Sequence, residues 1–261
     1  VRKGHYKTDA VVLGATNYGE SDVILTLLTA EFGKIKGVAK GARRSRRRFV
    51  GTIDPPARIS VLFHHHGGHG ELKRVEDSKL IDGYAGLKAD IERFSAACYM
   101  VELSDALSSE GDEWRPAYGL LTSLLFELSS GMAPDATSRF FEARILKLMG
   151  LMPHLTGCVI CRKRVAGEPK AVFSSARGGL LCRECSPGSV GAMEVSLGTA
   201  MFLSTASTLD ADKLRRLKPN QQLLGEADLM LEDFIRFHTG REFKTRRFMD
   251  SMRSAKAVAV S

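Results

Sequence analysis

Four of the five cysteines in this 261-residue chain form two matched pairs, Cys158-Val159-Ile160-Cys161 and Cys182-Arg183-Glu184-Cys185, twenty residues apart. A two-residue spacer lets both sulfurs of a pair point at one centre. Two such turns complete the tetrahedron that Zn²⁺ prefers. The spacing therefore predicts one structural Zn²⁺ held by Cys158, Cys161, Cys182 and Cys185. A closed four-thiolate site leaves no position for water, so it should staple the fold rather than catalyse. Arg162, Lys163, Arg164 and Arg183 flank the cysteines and would offset thiolate charge. The competing readings explain less. A thioredoxin-like redox pair gives no reason for two matched pairs. Iron–sulfur sites usually gather their cysteines more tightly, although cysteine count alone does not exclude iron. The fifth, Cys98, falls on an apolar helical stripe and reads as a buried core residue.

The second chemical feature is charge. No acidic residue occurs between Glu31 and Asp54, while Lys34, Lys36, Lys40, Arg43, Arg44, Arg46, Arg47 and Arg48 all do. Those eight account for the whole formal excess of +8, since the rest of the chain balances 30 basic against 30 acidic residues. A neutral protein with one concentrated cationic segment argues against diffuse basicity and for a local polyanion site. Lys34 and Lys36 share one face of a strand, Lys40 can join them, and Arg43 to Arg48 read as a flexible loop. Such a surface can track a phosphodiester backbone. Phe49 abuts the run, with Tyr18 and Phe32 in flanking turns, and any of the three could stack on a base. For each ring alone, barrel core is the plainer role. A solvated charge run is the bland alternative for the whole segment.

Other groups carry less. His64-His65-His66 and His69 could bind a metal, but a glycine-rich turn explains them more simply. Trp114 reads as a helix-start packing residue. Glu20 and Asp22 could hold Mg²⁺ for a nuclease, although turn and strand-start chemistry is the closer reading. A second basic region from Arg236 to Ser261 carries net +5. It would suit an extended nucleic-acid path, an acidic partner peptide or ordinary helix surface. No phosphate-binding GxxxxGK[ST] loop, dinucleotide GxGxxG, GxSxG or HExxH occurs, so no enzyme is expected. No run of about 18 apolar residues is present, so no membrane helix is expected. The opening residues lack an apolar leader core, which makes the cytoplasm the default compartment. Apolar residues at 44% and charged residues at 26% fit a globular chain.

Positioning these groups requires two kinds of element. Residues 6–16, 21–29, 33–41, 57–64 and 71–77 are β-branched, apolar or alternating, with turn signals about every ten residues, as in a small barrel. From Asp82 the apolar spacing becomes helical, over 84–107, 116–130, 137–149 and 220–239, with Gly240 at a helix C-cap. The expected class is α+β and multidomain. A five-stranded barrel spans 1–80, and an all-α domain spans 81–261 with a cysteine-bearing insertion at 154–190.

In that order, YKTDAVVLGATNYGESDVILTLLTAEFGKIKGVAKGARR, FFEARILKLMGLMPHLTGCVIC, FSSARGGLLCREC and HTGREFKTRRFM resemble the RecO family of bacterial DNA repair and recombination mediators. The likeness implies an OB-fold for the barrel, a zinc finger for the insertion and non-enzymatic activity in the RecF pathway of recombination and DNA-damage response. It implies binding of single- and double-stranded DNA and annealing of complementary strands without a nucleotide cofactor. It further implies that, with RecR, such a protein loads RecA onto DNA coated by single-stranded DNA-binding protein, whose acidic tail it contacts. A nucleoid-associated location in the cytoplasm would follow. The family's DNA-binding pattern falls on Lys36, Lys40, Arg43, Arg44, Arg46 and Arg47. Some members lack the cysteines, so the metal is not essential to the family activity. An RNA-binding or ribosome-associated OB and zinc protein is the alternative.

Overall fold

A computed structural model describes residues 4–65, 72–110, 115–165 and 170–260. His66, His69 and Trp114 lie outside the described residues. The chain divides into two compact units, residues 1–131 with 248–261, and residues 132–247.

The first unit is built on a closed barrel of five strands: β1 (Gly4–Tyr18), β2 (Asp22–Thr29), β3 (Gly33–Ala39), β4 (Arg58–His65) and β5 (Lys73–Asp82). Their order, β1-β2-β3-β5-β4 with β4 closing on β1, is the OB-fold arrangement expected from the sequence. Alternation decides which way each strand faces. In β4, Ile59, Val61, Phe63 and His65 are buried while Arg58, Ser60, Leu62 and His64 are not. β1 is long enough to pair with both neighbours, and an irregularity between Val12 and Gly14 bends it from one to the other. Tyr6, Phe32 and Phe63 pack ring against ring at 5.2 to 5.6 Å between centroids.

Closure rests on a short parallel contact, Gly37–Ala39 of β3 against Lys73–Val75 of β5. A Cβ at Gly37 would sit 2.7 Å from Val75 Cγ2 and 3.0 Å from the Lys73 carbonyl oxygen. Only glycine lets the two backbones approach so closely.

Helices α1 (Ala85–Lys88), α2 (Ile91–Leu107) and α3 (Arg115–Ser129) belong to the same unit. The single helix expected over 84–107 is broken at Asp90. Its carboxylate accepts from the N–H groups of Glu92 at 2.9 Å and Arg93 at 3.3 Å, so a fresh helix starts there. α2 buries Ser95, Ala96, Tyr99, Met100 and Leu103. Cys98 is consequently only half-buried, with burial pushing its thiol pKa up.

The second unit holds α4 (Pro134–Leu148), a small sheet, and helices α5 (Leu197–Ala206), α6 (Ala211–Leu214) and α7 (Gln221–Thr239). α7 ends where Gly240, at φ 62°, supplies the left-handed cap foreseen for it. The sheet is the one departure from an all-α region. Strands β6 (Lys170–Ser174), β7 (Gly179–Leu181) and β8 (Met193–Ser196), in the order β7-β6-β8, run through and beyond the cysteine insertion. α8 (Lys244–Val260) begins in the second unit and continues in the first.

The buried guanidinium of Arg139 on α4 meets Glu142 at 2.9 Å and also pairs with Asp228 on α7. Arg246, at the start of α8, reaches both Asp228 oxygens at 2.7 and 2.6 Å and Glu232 at 3.2 Å. Asp228 thus serves two nearly inaccessible cations. Asp228→Ala is expected to cost about 3–5 kcal/mol by leaving buried charge uncompensated, and Gly37→Ala about 1–3 kcal/mol by overpacking the barrel seam. Urea unfolding of each full-length variant measures both, and native midpoints would contradict these assignments.

Candidate nucleic-acid interface and metal centre

The cationic segment leaves the barrel at the end of β3, and tertiary contacts sort its residues into two groups. Lys34 lies on the outer face of the barrel under the end of α2 and is nearly buried there. Its ammonium donates to the Asp105 carbonyl at 2.6 Å and the Ser108 carbonyl at 3.0 Å, and pairs with the Asp105 carboxylate at 2.7 Å. These are acceptors at the C-terminal end of α2, where a cation also answers the helix dipole. Lys36 is half-exposed and pairs with Glu110 at 2.9 Å, a hydrogen bond that raises its pKa. Phe49 is 2% exposed and belongs to the barrel core beside Ile35, Ala39 and Val75. Its ring is therefore spent on packing and closed to a base.

The Arg43 to Arg48 run, expected as a flexible loop, lies in a stretch from Lys40 to Phe49 that is pinned at several points. Asp22 Oδ1 accepts from the Gly41 N–H at 2.8 Å, and the Ser21 carbonyl accepts from the Arg43 N–H at 3.0 Å. A 3-10 turn over Ala42–Arg44 buries Ala42. Arg48 clamps the far end: its guanidinium donates to the carbonyls of Lys40 at 3.1 Å and Glu76 at 3.3 Å and lies 5.1 Å from the Phe49 ring centroid. The Arg48 carbonyl also accepts from Ser78 N–H. Arg43 and Arg44 lean on Glu20, on its carbonyl and its carboxylate respectively, at 3.3 and 3.4 Å. Lys40, Arg46 and Arg47 remain exposed, with no side-chain partner among the described residues.

Sequence reasoning overlooked Arg74. It is exposed on β5 in register with Val38 of β3, and thus lies on the same outer barrel surface. Only strand pairing reveals that neighbour, because the two residues are far apart in the chain. Glu20 and Asp22 are engaged with the cationic segment, in keeping with turn chemistry. The C-terminal basic region divides likewise. Arg246 is buried on Asp228, Arg236 pairs with Asp233, Arg253 with Asp250, and Lys256 with Glu92.

The four cysteines of the two pairs come together. Their sulfurs lie within 4.8 Å of one another, and Cys161 and Cys182 are 3.7 Å apart. A tetrahedron with metal–sulfur bonds of about 2.3 Å has edges of about 3.8 Å, so the donor set fits a metal ion of that kind. Two tight turns build it. In the first, Cys158 N–H donates to the Lys163 carbonyl, Arg162 N–H donates to the Cys158 carbonyl, and Arg162 takes a left-handed φ of 63°. In the second, the Cys182 carbonyl accepts from the N–H groups of both Cys185 and Ser186. Val159 N–H donates to the Leu180 carbonyl, fixing the first turn to β7.

The thiols are unequal. Burial opposes the Cys158 thiolate, but backbone N–H groups aimed at its sulfur outweigh that and lower its pKa to about 6. Cys185, hydrogen-bonded to Cys182, is pushed up to about 12. Lys163 pairs with Glu184 at 3.2 Å, and the nearby charges of Cys161 and Cys182 further raise its pKa. Among the described residues no other group of three potential ligands converges, although the tilted rings of His5 and His64 lie 4.6 Å apart and His5 meets Glu76 at 3.1 Å. Metal analysis of the purified protein is expected to return about one thiolate-bound ion per chain. Joint Cys161→Ser and Cys182→Ser substitution should abolish it. Less than about half an equivalent in folded native protein would refute the site.

No helix among the described residues is long and apolar enough to cross a membrane. Comparison with known proteins adds the lineage. The family model "Recombination protein O N terminal" matches residues 4–84 and "Recombination protein O C terminal" matches residues 88–247. The DNA repair protein RecO of Syntrophus aciditrophicus is 32% identical over 249 residues, covering 95% of this chain and 96% of the relative. Its counterpart in Anaeromyxobacter sp. (strain K) is 35% identical over 248 residues, covering 94% and 96%. That of Desulforamulus reducens is 32% identical over 247 residues, covering 95% and 94%. A match spanning both units, with the barrel and the cysteine cluster in their expected places, means that this chain belongs to the RecO family.

Proposed function

We propose that the chain acts in DNA repair and recombination as a non-enzymatic DNA-binding mediator. It binds single- and double-stranded DNA through the outer face of the barrel and anneals complementary strands. With RecR as partner, it helps RecA onto DNA coated by single-stranded DNA-binding protein, whose acidic tail it engages. Membership of the RecO family supports the repair and recombination role. The observation that carries DNA binding is the set of exposed cations Lys40, Arg46 and Arg47, without side-chain partners among the described residues, on a pinned segment of an OB barrel, with Arg74 on the same surface. Because the segment is already ordered, phosphates meet it at little cost in conformational entropy. Neutralising phosphates on two strands lowers their mutual repulsion, so annealing needs no nucleotide.

Lys36, Arg43 and Arg44 join the path after exchanging their present carboxylate or carbonyl partners for phosphates. Lys34, Arg48 and Phe49 support it from beneath. In the second unit the cysteines hold one structural Zn²⁺, read from the four-sulfur donor set and tetrahedral spacing. This ion stabilises the ribbon and takes no part in a reaction.

Joint Lys40→Ala, Arg46→Ala and Arg47→Ala substitution is expected to weaken binding to single strands. It should also reduce the slope of log K against log salt by about 2, at roughly 0.7 per phosphate contact. Lys34→Ala should instead leave the slope native and lower stability by about 1–3 kcal/mol, because it strands buried carbonyls. Fluorescence anisotropy across a salt series, paired with urea unfolding, reads both. A native slope and affinity in the triple variant would overturn the assignment, and a clear preference for RNA of the same sequence would favour an RNA-binding role.

A further inference from the structure

The turn between β1 and β2 carries a side chain that the cationic path leaves unused. Tyr18 ends β1 opposite Asp22 and is 57% exposed. The other four tyrosines, Tyr6, Tyr84, Tyr99 and Tyr118, are buried or half-buried. The Tyr18 side chain has no ring contact and no hydrogen bond among the described residues. Nothing in the packing of the barrel accounts for an aromatic ring held in water at this position.

Its surroundings do account for it. The same turn is stitched to the cationic segment at four points. Glu20 receives Arg43 and Arg44, Ser21 receives the Arg43 N–H, and Asp22 receives the Gly41 N–H. Tyr18 thereby sits at the edge of the hairpin that also touches two phosphate-seeking guanidinium groups. The Glu20 carboxylate is already engaged by Arg44. A ligand arriving here meets cations and one free π-face. Of the common polyanions, a single strand of nucleic acid offers both a charged backbone and unpaired bases that stack. In a duplex the bases are already stacked and paired, and an acidic peptide supplies no regular π-face.

We propose that Tyr18 is the base-stacking platform of the barrel and that it makes the DNA path bind single strands more tightly than duplex. The inference rests on the DNA-binding reading above and adds to it a base-dependent contact. Arg43 and Arg44 hold the phosphates beside the stacked base. The remaining cations follow the backbone away from the turn.

The test compares native protein with Tyr18→Ala, Tyr18→Phe and Tyr18→Trp. The probes are a thymidine homopolymer, the same strand with abasic sites throughout, and a duplex of equal length. Tyr18→Ala is expected to lose about 5- to 100-fold in affinity for the thymidine strand. Phe and Trp should retain it, because the ring rather than the hydroxyl makes the contact. Affinity for the duplex, affinity for the abasic strand and the salt slope should all stay native in Tyr18→Ala. Equal losses on all three probes would show a structural role, and no loss on the thymidine strand would show no role; either overturns the proposal. The Lys40, Arg46 and Arg47 triple variant separates the two levels. If it binds as native protein does, DNA binding by this face fails; if it is impaired while Tyr18→Ala is not, only the stacking platform fails.

Discussion

The barrel closes through three residue pairs between β3 and β5, and that seam exists because Gly37 has no side chain. The placement of the Lys34 to Arg48 segment follows from it. Once β3 is held against β5, its inward positions are Ile35, Gly37 and Ala39, and its outward positions are Lys34, Lys36 and Val38. The chain then leaves the barrel where Asp22 and Ser21 can take the N–H groups of Gly41 and Arg43. Ala42 and Phe49 plug back into the core at either end of the arginine run. A one-residue slip of β3 would send its lysines into the barrel and its apolar side chains into water.

Identical side chains serve opposite purposes across this protein. Lys34 caps the end of a helix, Arg48 clamps a loop, and Arg139 and Arg246 neutralise carboxylates in the interior of the second unit. Lys34, Arg139 and Arg246 give up hydration for fixed acceptors, whereas Arg48 stays exposed. That exchange is tolerable only because oxygens converge on each of them. Lys40, Arg46 and Arg47 make no such exchange among the described residues and remain exposed. Net charge by itself thus overstates what is available for binding.

The cysteine cluster follows a different logic. Its geometry comes from two short turns whose hydrogen bonds close within six residues, plus the bond from Val159 N–H to the Leu180 carbonyl that fixes the first turn to β7. Such a centre needs little help from the rest of the fold. The Arg139–Asp228–Arg246 network joins residues up to about a hundred positions apart, and its members drew no notice as a set in the sequence.

Local rules were readable from the sequence, and contacts between distant residues were not. Period-two alternation with regular turn signals gave five strands, and the matched CxxC pairs gave the sulfur cluster. The three-strand ribbon passed unseen because β7 and β8 have only three and four residues. The chain also concentrated its whole charge excess in one segment, a property of composition alone. Tertiary structure decided which of those charges face water. Lys34 finds its acceptors 71 and 74 residues along the chain. Phe49 finds a core assembled from all five strands, and Arg74 meets β3 only across the closing seam. A cation's role depends on whether an acceptor reaches it, and that is settled when the barrel closes.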